Sequence, residues 1–505
     1  MMDTLLSSKQ NMSAVLLLAT VIWLLITALV PKFVGPKSRR TILNSQRLFE
    51  FSSKRIKKEF WLHGTDMMRE WFKSNPGKPV EINTDVGRTV LLPPEFADEI
   101  RNEKNFSLSA WSTRSYHAHL PGFEGFREES HSGVLMQRVI TKHLTQRMAH
   151  LIQPLAEESS LGLHDLFPTD PGWHSVHLRE QILAIAARVS SRTFVGKEMC
   201  RNERWLKIAR EYTVAVFTAA ADLRRWPCIL RPIVNMFLPS CCRAQVMMKE
   251  ATLFVQKIAK GRNEAEKDSE ANTESSGYAL EWLEQEANGS PYDPAAALMM
   301  LSMVTIHTTA DLLCQTIIDI AQHPETLKAL REEISSVVYE HGWQKLTLYQ
   351  LKLLDSVIKE SQRIKPLGSV SMRRLALETV TLSDGTVIHK GQSLAVSSHS
   401  MWDENIYSEP EKWKGSRFLN QRRNEDKQHV SHLVSTSPQH LGFGHGEHAC
   451  PGRFFAANEM KIILAKFLMI YDFELPTEVS PKVRKLGFSM SVDPTLQMRI
   501  RNRLS

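Results

Sequence analysis

The stretch "GHGEHACPGRFFAANEMKIILAKF", Gly444–Phe467, places two histidines and a cysteine within six residues and then continues as a predicted helix. The candidate metal ligands are His445, His448 and Cys450. Their spacing, His-x2-His-x-Cys, supplies three of the four ligands that a structural zinc site uses. The stretch therefore predicts a metal site, and its surroundings must indicate which metal.

Zinc is a poor match because the segment offers no obvious fourth ligand. A heme iron needs only one strong axial ligand on a tight loop against the porphyrin. Gly446 and Gly452 flank Cys450 and would let the backbone approach a flat cofactor closely. A helix that begins just after Cys450 would direct its amides at the sulfur and stabilise the thiolate. The pattern favours a heme held by cysteine, with a zinc or scaffold protein as the alternative.

Composition narrows the class of protein. With 505 residues, 42% of them hydrophobic, the chain can bury a large core, and no Pro/Gly/Ser-rich linker or repeat divides it. Its formal charge of +8 raises the question of nucleic acid, but the basic residues are scattered among acidic ones and no recognition motif occurs. Six cysteines without a CxxC pair indicate a reducing compartment.

The N-terminal region predicts a membrane anchor. Ser13–Val30 is uncharged and would span about 27 Å as a helix, close to the ~30 Å core of a bilayer. Basic residues follow it at 32, 37, 39 and 40, which favours a cytosolic body. We therefore expect a lumenal N-terminus at 1–12, a transmembrane anchor at 13–30 in the endoplasmic reticulum membrane, and a cytosolic domain at 31–505. A cleaved signal peptide is the alternative, disfavoured by the position of the charges.

The rest of the chain is predicted to be mainly α with small β-sheets. Ala295–Gln322 is apolar on nearly every face, which is typical of a buried central helix. Further helices are expected from Pro324 to Gly342 and up to Pro366. Asp384-Gly385 is a hairpin signal between short strands, and the polar stretch Gly261–Gly277 is predicted to be a loop.

At the opening stretch the chain resembles the cytochrome P-450 family of heme-thiolate monooxygenases. The signature of that family is Phe-x-x-Gly-x-[Arg/His]-x-Cys-x-Gly. This chain matches it with Phe443, Gly446, His448, Cys450 and Gly452. The resemblance extends from the anchor to the C-terminus and implies the cytochrome P-450 fold in one large domain.

Further family motifs occur in the expected order. Glu360-x-x-Arg363 lies on a predicted helix, and Arg417-Phe418 follows it. The resemblance implies that Glu360, Arg363 and Arg417 form a buried structural cluster behind the cysteine. Arg373, ten residues after Arg363, matches an arginine that pairs with a heme propionate. A lone Glu-x-x-Arg is usually only a surface pair, but three motifs in order make that improbable.

The cofactor and partners also follow from the resemblance. It implies heme b with Cys450 as the thiolate ligand of the iron, and His448 as a partner of a propionate. It also implies O2 as oxidant and electrons from NADPH through an NADPH-cytochrome P-450 reductase. No nucleic acid partner is expected.

The chain departs from the family pattern at two places. The central helix of the family usually reads [Ala/Gly]-Gly-x-[Asp/Glu]-Thr-Thr, whereas this chain reads Val304-Thr305-Ile306-His307-Thr308-Thr309. By position Thr308 matches the catalytic threonine and His307 replaces the acid. His307 either relays protons, since its ordinary pKa is about 6.5, or fills a buried position beside a hydrogen-bonding neighbour. A Trp-x3-Arg that usually contacts a propionate is also missing, and Arg138 is a candidate substitute.

Three short stretches, Ile306–Thr309, "SMRR" and "HSMWD", are similar to fungal members that oxidise terpenoid, indole-diterpene and meroterpenoid skeletons in secondary metabolism. A bulky apolar substrate would suit the apolar central helix. The family layout assigns access and specificity to segments that include Asn105–Phe123, Tyr212–Leu238 and Leu298–Thr309. An isomerase or a peroxide-using heme enzyme, independent of a reductase, is the alternative function.

Overall fold

The computed structural model describes residues 40–503, except 48–49, 51, 132, 269–277 and 479. The chain divides into two units, Met1–Thr41 and Ile42–Ser505, and the second contains all the elements described below. The lumenal segment at 1–12 and the anchor at 13–30 lie outside the described residues.

The second unit is mainly α-helical, as predicted. In chain order its α-helices are α1 (Lys54–Ser74), α2 (Ala97–Ile100), α3 (Leu108–Tyr116), α4 (Glu124–His131), α5 (Gly133–Val139), α6 (Met148–Leu166), α7 (Leu178–Phe194), α8 (Gly196–Met199), α9 (Glu203–Leu223), α10 (Arg231–Val234), α11 (Pro239–Asp268), α12 (Ala279–Ala287), α13 (Pro294–Ala321), α14 (Pro324–His341), α15 (Lys345–Gln350), α16 (Lys352–Ile364), α17 (Arg417–Gln421), α18 (Glu425–Gln428) and α19 (Arg453–Ile470). Single turns of 3-10 helix and one π-helical segment complete the helical set at Pro94–Phe96, Cys228–Leu230, His399–Trp402 and Ile140–Thr145.

Twelve short strands form four small sheets within the described residues. They are β1 (Val80–Thr84), β2 (Gly87–Leu92), β3 (Phe106–Ser107), β4 (His174–His177), β5 (Val370–Ala376), β6 (Val380–Thr381), β7 (Val387–Ile388), β8 (Ser393–Ser397), β9 (Tyr471–Glu474), β10 (Val483–Leu486), β11 (Ser489–Val492) and β12 (Gln497–Asn502). The largest sheet has the order β1-β2-β8-β5-β3, and its β2–β8 pair is parallel. The other sheets are β4-β12-β9 and the hairpins β6-β7 and β10-β11.

The central helix α13 is the core of the helical part. Its first turn is capped by Asp293, whose carboxylate accepts from the amides of Ala295 and Ala296 at 3.0 Å, and Pro294 fits the first helical position. Helices α4, α7, α9, α16 and α19 pack around it. By length and hydropathy it is the one helix among the described residues that could cross a membrane, but 72% of its most apolar window is buried in the protein. We therefore describe α13 as a core helix.

Most predicted elements are observed, with one error. The helix predicted from Pro324 ends at His341, before Gly342 with φ 64°, and the hairpin β6-β7 turns at Gly385 with φ 85°. The loop predicted from Gly261 is wrong for its first part, because α11 continues to Asp268. The stretch contains glutamate, alanine and lysine, which are good helix formers. Their helix propensity explains why the helix continues although the stretch is polar.

Candidate active site

The loop that carries Cys450 is closed by three backbone hydrogen bonds. The amide of Cys450 donates to the carbonyl of Phe443 at 2.8 Å, and the amides of Gly444 and Ala449 donate to Leu441 and Gly446 at 3.0 Å. Gly446 has φ 80°, which is a left-handed conformation that glycine adopts without strain. A Cβ at Gly446 would also lie 2.4 Å from the Cβ of Arg101. The loop is therefore compact and closely packed at the signature glycine.

The sulfur of Cys450 lies at the start of helix α19. Burial raises the pKa of the thiol, while hydrogen bonding from the Gly452 and Arg453 amides acts in the opposite direction. The Arg453 guanidinium also donates to the Cys450 carbonyl at 2.9 Å. Cys450 is half-buried, and a sulfur that faces helix N-terminal amides is suited to carry a negative charge once a cation binds it.

The other two candidate metal ligands do not converge with Cys450. His445 is 8% exposed, and its imidazole contacts Asp98 at 3.0 Å and Thr436 at 3.2 Å. It therefore ties the cysteine loop to α2, a role that its position between two glycines did not reveal. No group of three or more His, Cys, Asp or Glu residues within the described part of the chain is arranged to hold a metal ion. This arrangement gives the zinc alternative no support.

The structure brings Glu360, Arg363 and Arg417 together, as expected from their motifs. Arg363 binds both oxygens of Glu360, with Nε and Nη2 at 2.8 and 2.9 Å, and Arg417 Nε donates to Oε1 of the same carboxylate at 2.9 Å. Glu360 and Arg363 are fully buried. Arg363 also donates to the Met401 carbonyl at 2.6 Å, and Arg417 to Ser408 at 2.7 Å. The cluster joins helix α16 to the first residue of α17 and to the segment that precedes α17.

Helix α16 also packs against Gly442, which lies just before the cysteine loop. A Cβ at Gly442 would come within 2.3 Å of Gln362 Oε1 and 2.9 Å of its Cγ, and Gln362 is 3% exposed. Gln362 lies between Glu360 and Arg363 in sequence. The charged cluster and the cysteine loop are thus held by one helix.

A β-bulge distinguishes two neighbouring arginines on strand β5. The pairing with β8 runs Ser371↔Val396 and then Arg374↔Leu394, so the two residues between them on β5 oppose one residue on β8. Met372, within the bulge, has φ 50°. Arg373 is half-buried, with its guanidinium 5.4 Å from the Trp111 ring centre.

Arg374 is the buried member of that pair. It is 2% exposed, and its Nη1 donates to the Arg373 carbonyl at 2.8 Å. Nη2 has no hydrogen-bond partner among the described residues. Burial lowers the pKa of Arg374 to about 10, and no carboxylate from the described chain offsets that burial. A buried guanidinium with an unused donor is costly, and an anion would relieve that cost.

His448 lies near that same guanidinium. The burial of part of its ring lowers the pKa of His448, and the charge of Arg374 lowers it further. The remainder of the histidine is exposed. Two basic side chains that disfavour each other's charge would both be stabilised by a carboxylate bound between them.

The central helix has one open face. Met300, Val304 and Thr308 follow one another at intervals of four residues, so their side chains lie on one side of α13. All three are less buried than most of the helix, and Val304 is 43% exposed. The Thr308 hydroxyl donates to the Val304 carbonyl at 2.7 Å. Thr308 therefore lies at one end of an open, mainly apolar strip.

His307 points to a different neighbour. Its Nε2 lies 2.8 Å from the carbonyl oxygen of Arg210 on helix α9. Burial lowers the pKa of His307. The structure therefore does not bring His307 and Thr308 into a shared hydrogen bond within the described residues.

Arg138, the candidate substitute for the missing propionate contact, lies against helix α12. Its Nη2 donates to the Glu286 carbonyl at 3.1 Å, and Lys142 binds the Glu286 carboxylate at 2.9 Å. Arg138 thus has a protein partner. Arg374, which sequence reasoning missed, carries the unused donor.

Comparisons with known proteins agree with this geometry. The sequence model of the family described as Cytochrome P450 matches residues 94–498, which is most of the chain. The chain belongs to the cytochrome P450 family. Cytochrome P450 monooxygenase hepE of Aspergillus oryzae is 44% identical over 95% of this chain and 89% of its own length. Cytochrome P450 monooxygenase TRI1 of Fusarium sporotrichioides is 42% identical over 93% and 87%. This P450 is accordingly a monooxygenase.

A solved structure shows the same fold. The cytochrome P450DA heme domain superposes with a TM-score of 0.70 over 92% of this chain and 97% of that chain, at 15% identity. The residues present fit the heme that the family implies. The sulfur of the half-buried Cys450 faces two amides. The Nη2 of Arg374, which lies near His448 and has no partner within the described part of the chain, is suited to a carboxylate.

Proposed function

We propose that this P450 oxidises a bulky apolar substrate, a terpenoid or meroterpenoid, in fungal secondary metabolism, with electrons from NADPH through an NADPH-cytochrome P450 reductase. The observation that carries the proposal is the open strip Met300-Val304-Thr308 on an otherwise buried helix. Two of its three side chains are apolar, which suits an apolar substrate. Similarity to monooxygenases of Fusarium and Aspergillus supports a fungal role.

Cys450 would supply the thiolate that holds the heme iron, in a loop that Phe443 and Gly446 keep compact. Bound heme with a thiolate ligand supplies oxygen activation. The Gly452 and Arg453 amides would hold the negative charge at the sulfur. Glu360, Arg363 and Arg417 are structural in this proposal, because they are buried in mutual ion pairs.

For the propionates we propose His448 and Arg374. Sequence counting assigns this role to Arg373. The bulge in β5 favours Arg374 because that residue is fully buried, near His448, and has an unused donor. Arg373 is half-buried and packs over Trp111.

Thr308 is our candidate for the residue that delivers protons at the substrate strip. Its hydroxyl donates to the helix backbone, so its lone pairs can accept a hydrogen bond from water. The bond from His307 to Arg210 favours the second of the two roles considered for that histidine, which is to fill a buried position beside a hydrogen-bonding neighbour.

We propose further that residues 13–30 anchor the enzyme in the endoplasmic reticulum membrane with its body in the cytosol. A feature of the described chain supports membrane contact. Between α9 and α11 an apolar cluster is exposed, with Ile229 at 75%, Met236 at 66% and Phe237 at 73%. Exposed apolar residues that are adjacent in this way mark an interaction surface, and lipid is a suitable partner.

The alternative is an isomerase or a peroxide-using enzyme that needs no reductase. Replacement of the usual acid by His307 is the feature that favours it. One experiment separates the two functions.

The test uses sealed microsomes that contain the full chain and a reductase, incubated with a panel of terpenoid precursors and analysed by mass spectrometry. We expect a product that carries added oxygen and depends on NADPH and on the reductase. External protease should abolish its formation if the body faces the cytosol. Equal turnover with peroxide in the absence of reductase would support the alternative. Survival of activity after protease treatment would contradict the topology.

A further inference from the structure

The side chain of His307 makes a hydrogen bond between two packed helices that are far apart in sequence. It lies on α13, and its Nε2 is 2.8 Å from the Arg210 carbonyl on α9. A carbonyl oxygen can only accept, so Nε2 must carry the proton. Arg210 lies within α9, where its carbonyl oxygen also serves the helix ladder and uses its second lone pair for the histidine.

The surroundings of His307 disfavour its charged form. Burial lowers its pKa, the bond to the Arg210 carbonyl acts against that, and the charges of Arg179 and Arg210 lower the pKa further. Asp311 raises it slightly from the next turn of α13. A neutral imidazole has one N–H, and here that N–H is bound to α9. His307 therefore has no second proton to give while the bond to α9 is intact.

Helix α9 is held at two further points. The Tyr212 hydroxyl donates to the Gly122 carbonyl at 3.0 Å. The Phe217 ring makes edge contacts with Tyr116 at 5.3 Å and Phe126 at 5.7 Å between ring centres. These contacts tie α9 to the segment 116–126. Together with His307 they hold α9 to that segment and to the central helix.

We infer that His307 is a positioning residue that fixes α9 against the central helix and thereby shapes the substrate cavity. The second part of this inference rests on the proposed function, because segments 105–123, 212–238 and 298–309 border the cavity only if the family layout applies. The first part rests on the described contacts alone. Position 307, where the family usually has an acid, thus serves substrate fit in this chain.

The first test measures hydrogen–deuterium exchange of peptides from α9 in the full-length holoenzyme. His307→Phe keeps a ring of similar size but removes the donor, and the Arg210 carbonyl keeps its helical bond, so the variant should fold. We expect faster exchange in α9 for His307→Phe. His307→Gln is the matched control, because its side-chain amide can donate to the same carbonyl, and it should keep the protection of the native enzyme.

The second test measures the affinity of two heme ligands by absorbance titration. Clotrimazole is bulky and fills space beyond the iron, whereas imidazole is small. We expect His307→Phe to weaken clotrimazole binding about fivefold, as one net hydrogen bond would, with imidazole binding unchanged. His307→Gln should bind both ligands as the native enzyme does.

Unchanged exchange in His307→Phe would overturn the inference. Equal exchange in the Phe and Gln variants would also overturn it, because the effect on α9 would then come from loss of the native imidazole and not from loss of its N–H. Unchanged clotrimazole affinity would overturn the role in shaping the cavity. A native protein that does not show the thiolate-type carbon monoxide spectrum would refute the proposed function instead, and the exchange comparison would still decide whether His307 holds α9.

Discussion

At the scale of single residues, a local irregularity in β5 underlies our proposal that Arg374, and not Arg373, binds a heme propionate. The two arginines are adjacent, and counting from Arg363 selects the first. The extra residue in β5 makes Arg374 the one that is buried with an unused Nη2. Whether a strand contains a bulge depends on its pairing with β8, about twenty residues later, so a motif count cannot predict it.

The two arginines can be compared directly by substitution. We predict that Arg374→Met, which keeps the buried volume and removes the charge, releases heme about 10- to 100-fold faster, as loss of a charge-assisted hydrogen bond of about 1.5–3 kcal/mol implies. Arg373→Met is the matched control and should change the rate only slightly. Transfer of heme to apomyoglobin measures both rates. Faster release from Arg373→Met than from Arg374→Met would contradict the assignment.

At the scale of secondary-structure elements, helix α16 connects the charged cluster with the cysteine loop. Glu360 and Arg363 hold the chain near α17, and Gln362 packs against Gly442. The fully buried Glu360 carboxylate accepts four hydrogen bonds, two from Arg363, one from Arg417 and one from the Lys414 amide at 3.0 Å. Removal of one partner would leave charge without compensation in the core.

We predict that Arg363→Ala destabilises the protein by about 3–5 kcal/mol, the usual cost of breaking a buried ion pair. The variant should accumulate little heme-loaded protein, as measured by absorbance and by thermal unfolding. Arg243→Ala is the control, because Arg243 pairs with Glu211 at 2.7 Å on the surface, where such a pair contributes about 0–1 kcal/mol. An Arg363→Ala enzyme with native heme content and melting temperature would refute the structural role of the cluster.

At the scale of the whole molecule, the secondary-structure elements were predicted more accurately from the sequence than were the contacts between them. The helices from Pro294 and Pro324 and the hairpin at Gly385 follow from caps, prolines and apolar periodicity, which are local signals. The meeting of Glu360 with Arg417 was predicted only through the family resemblance. The first part of the loop predicted at Gly261–Gly277 was wrong, because helix propensity outweighs polarity up to Asp268.

In the candidate site, too, local features were predicted from the sequence and long-range contacts were not. Cys450 and its glycines were identified from spacing within ten residues. The partners of His307 and His445 were not predicted, because they lie on α9 and α2, far away in sequence. Only tertiary packing decides which of several neighbours an imidazole contacts. The long-range partners therefore had to come from the structure.

We propose above all that Cys450 holds a heme iron through its thiolate. The most direct measurement is the carbon monoxide difference spectrum of the reduced full-length protein, its Cys450→Ser variant and a Cys228→Ser control, since Cys228 is exposed and lies outside the loop. We predict the band diagnostic of thiolate ligation in the native protein and in Cys228→Ser, and its loss in Cys450→Ser. Retention of that band in Cys450→Ser, or its absence from native heme-loaded protein, would contradict ligation of the iron by the Cys450 thiolate.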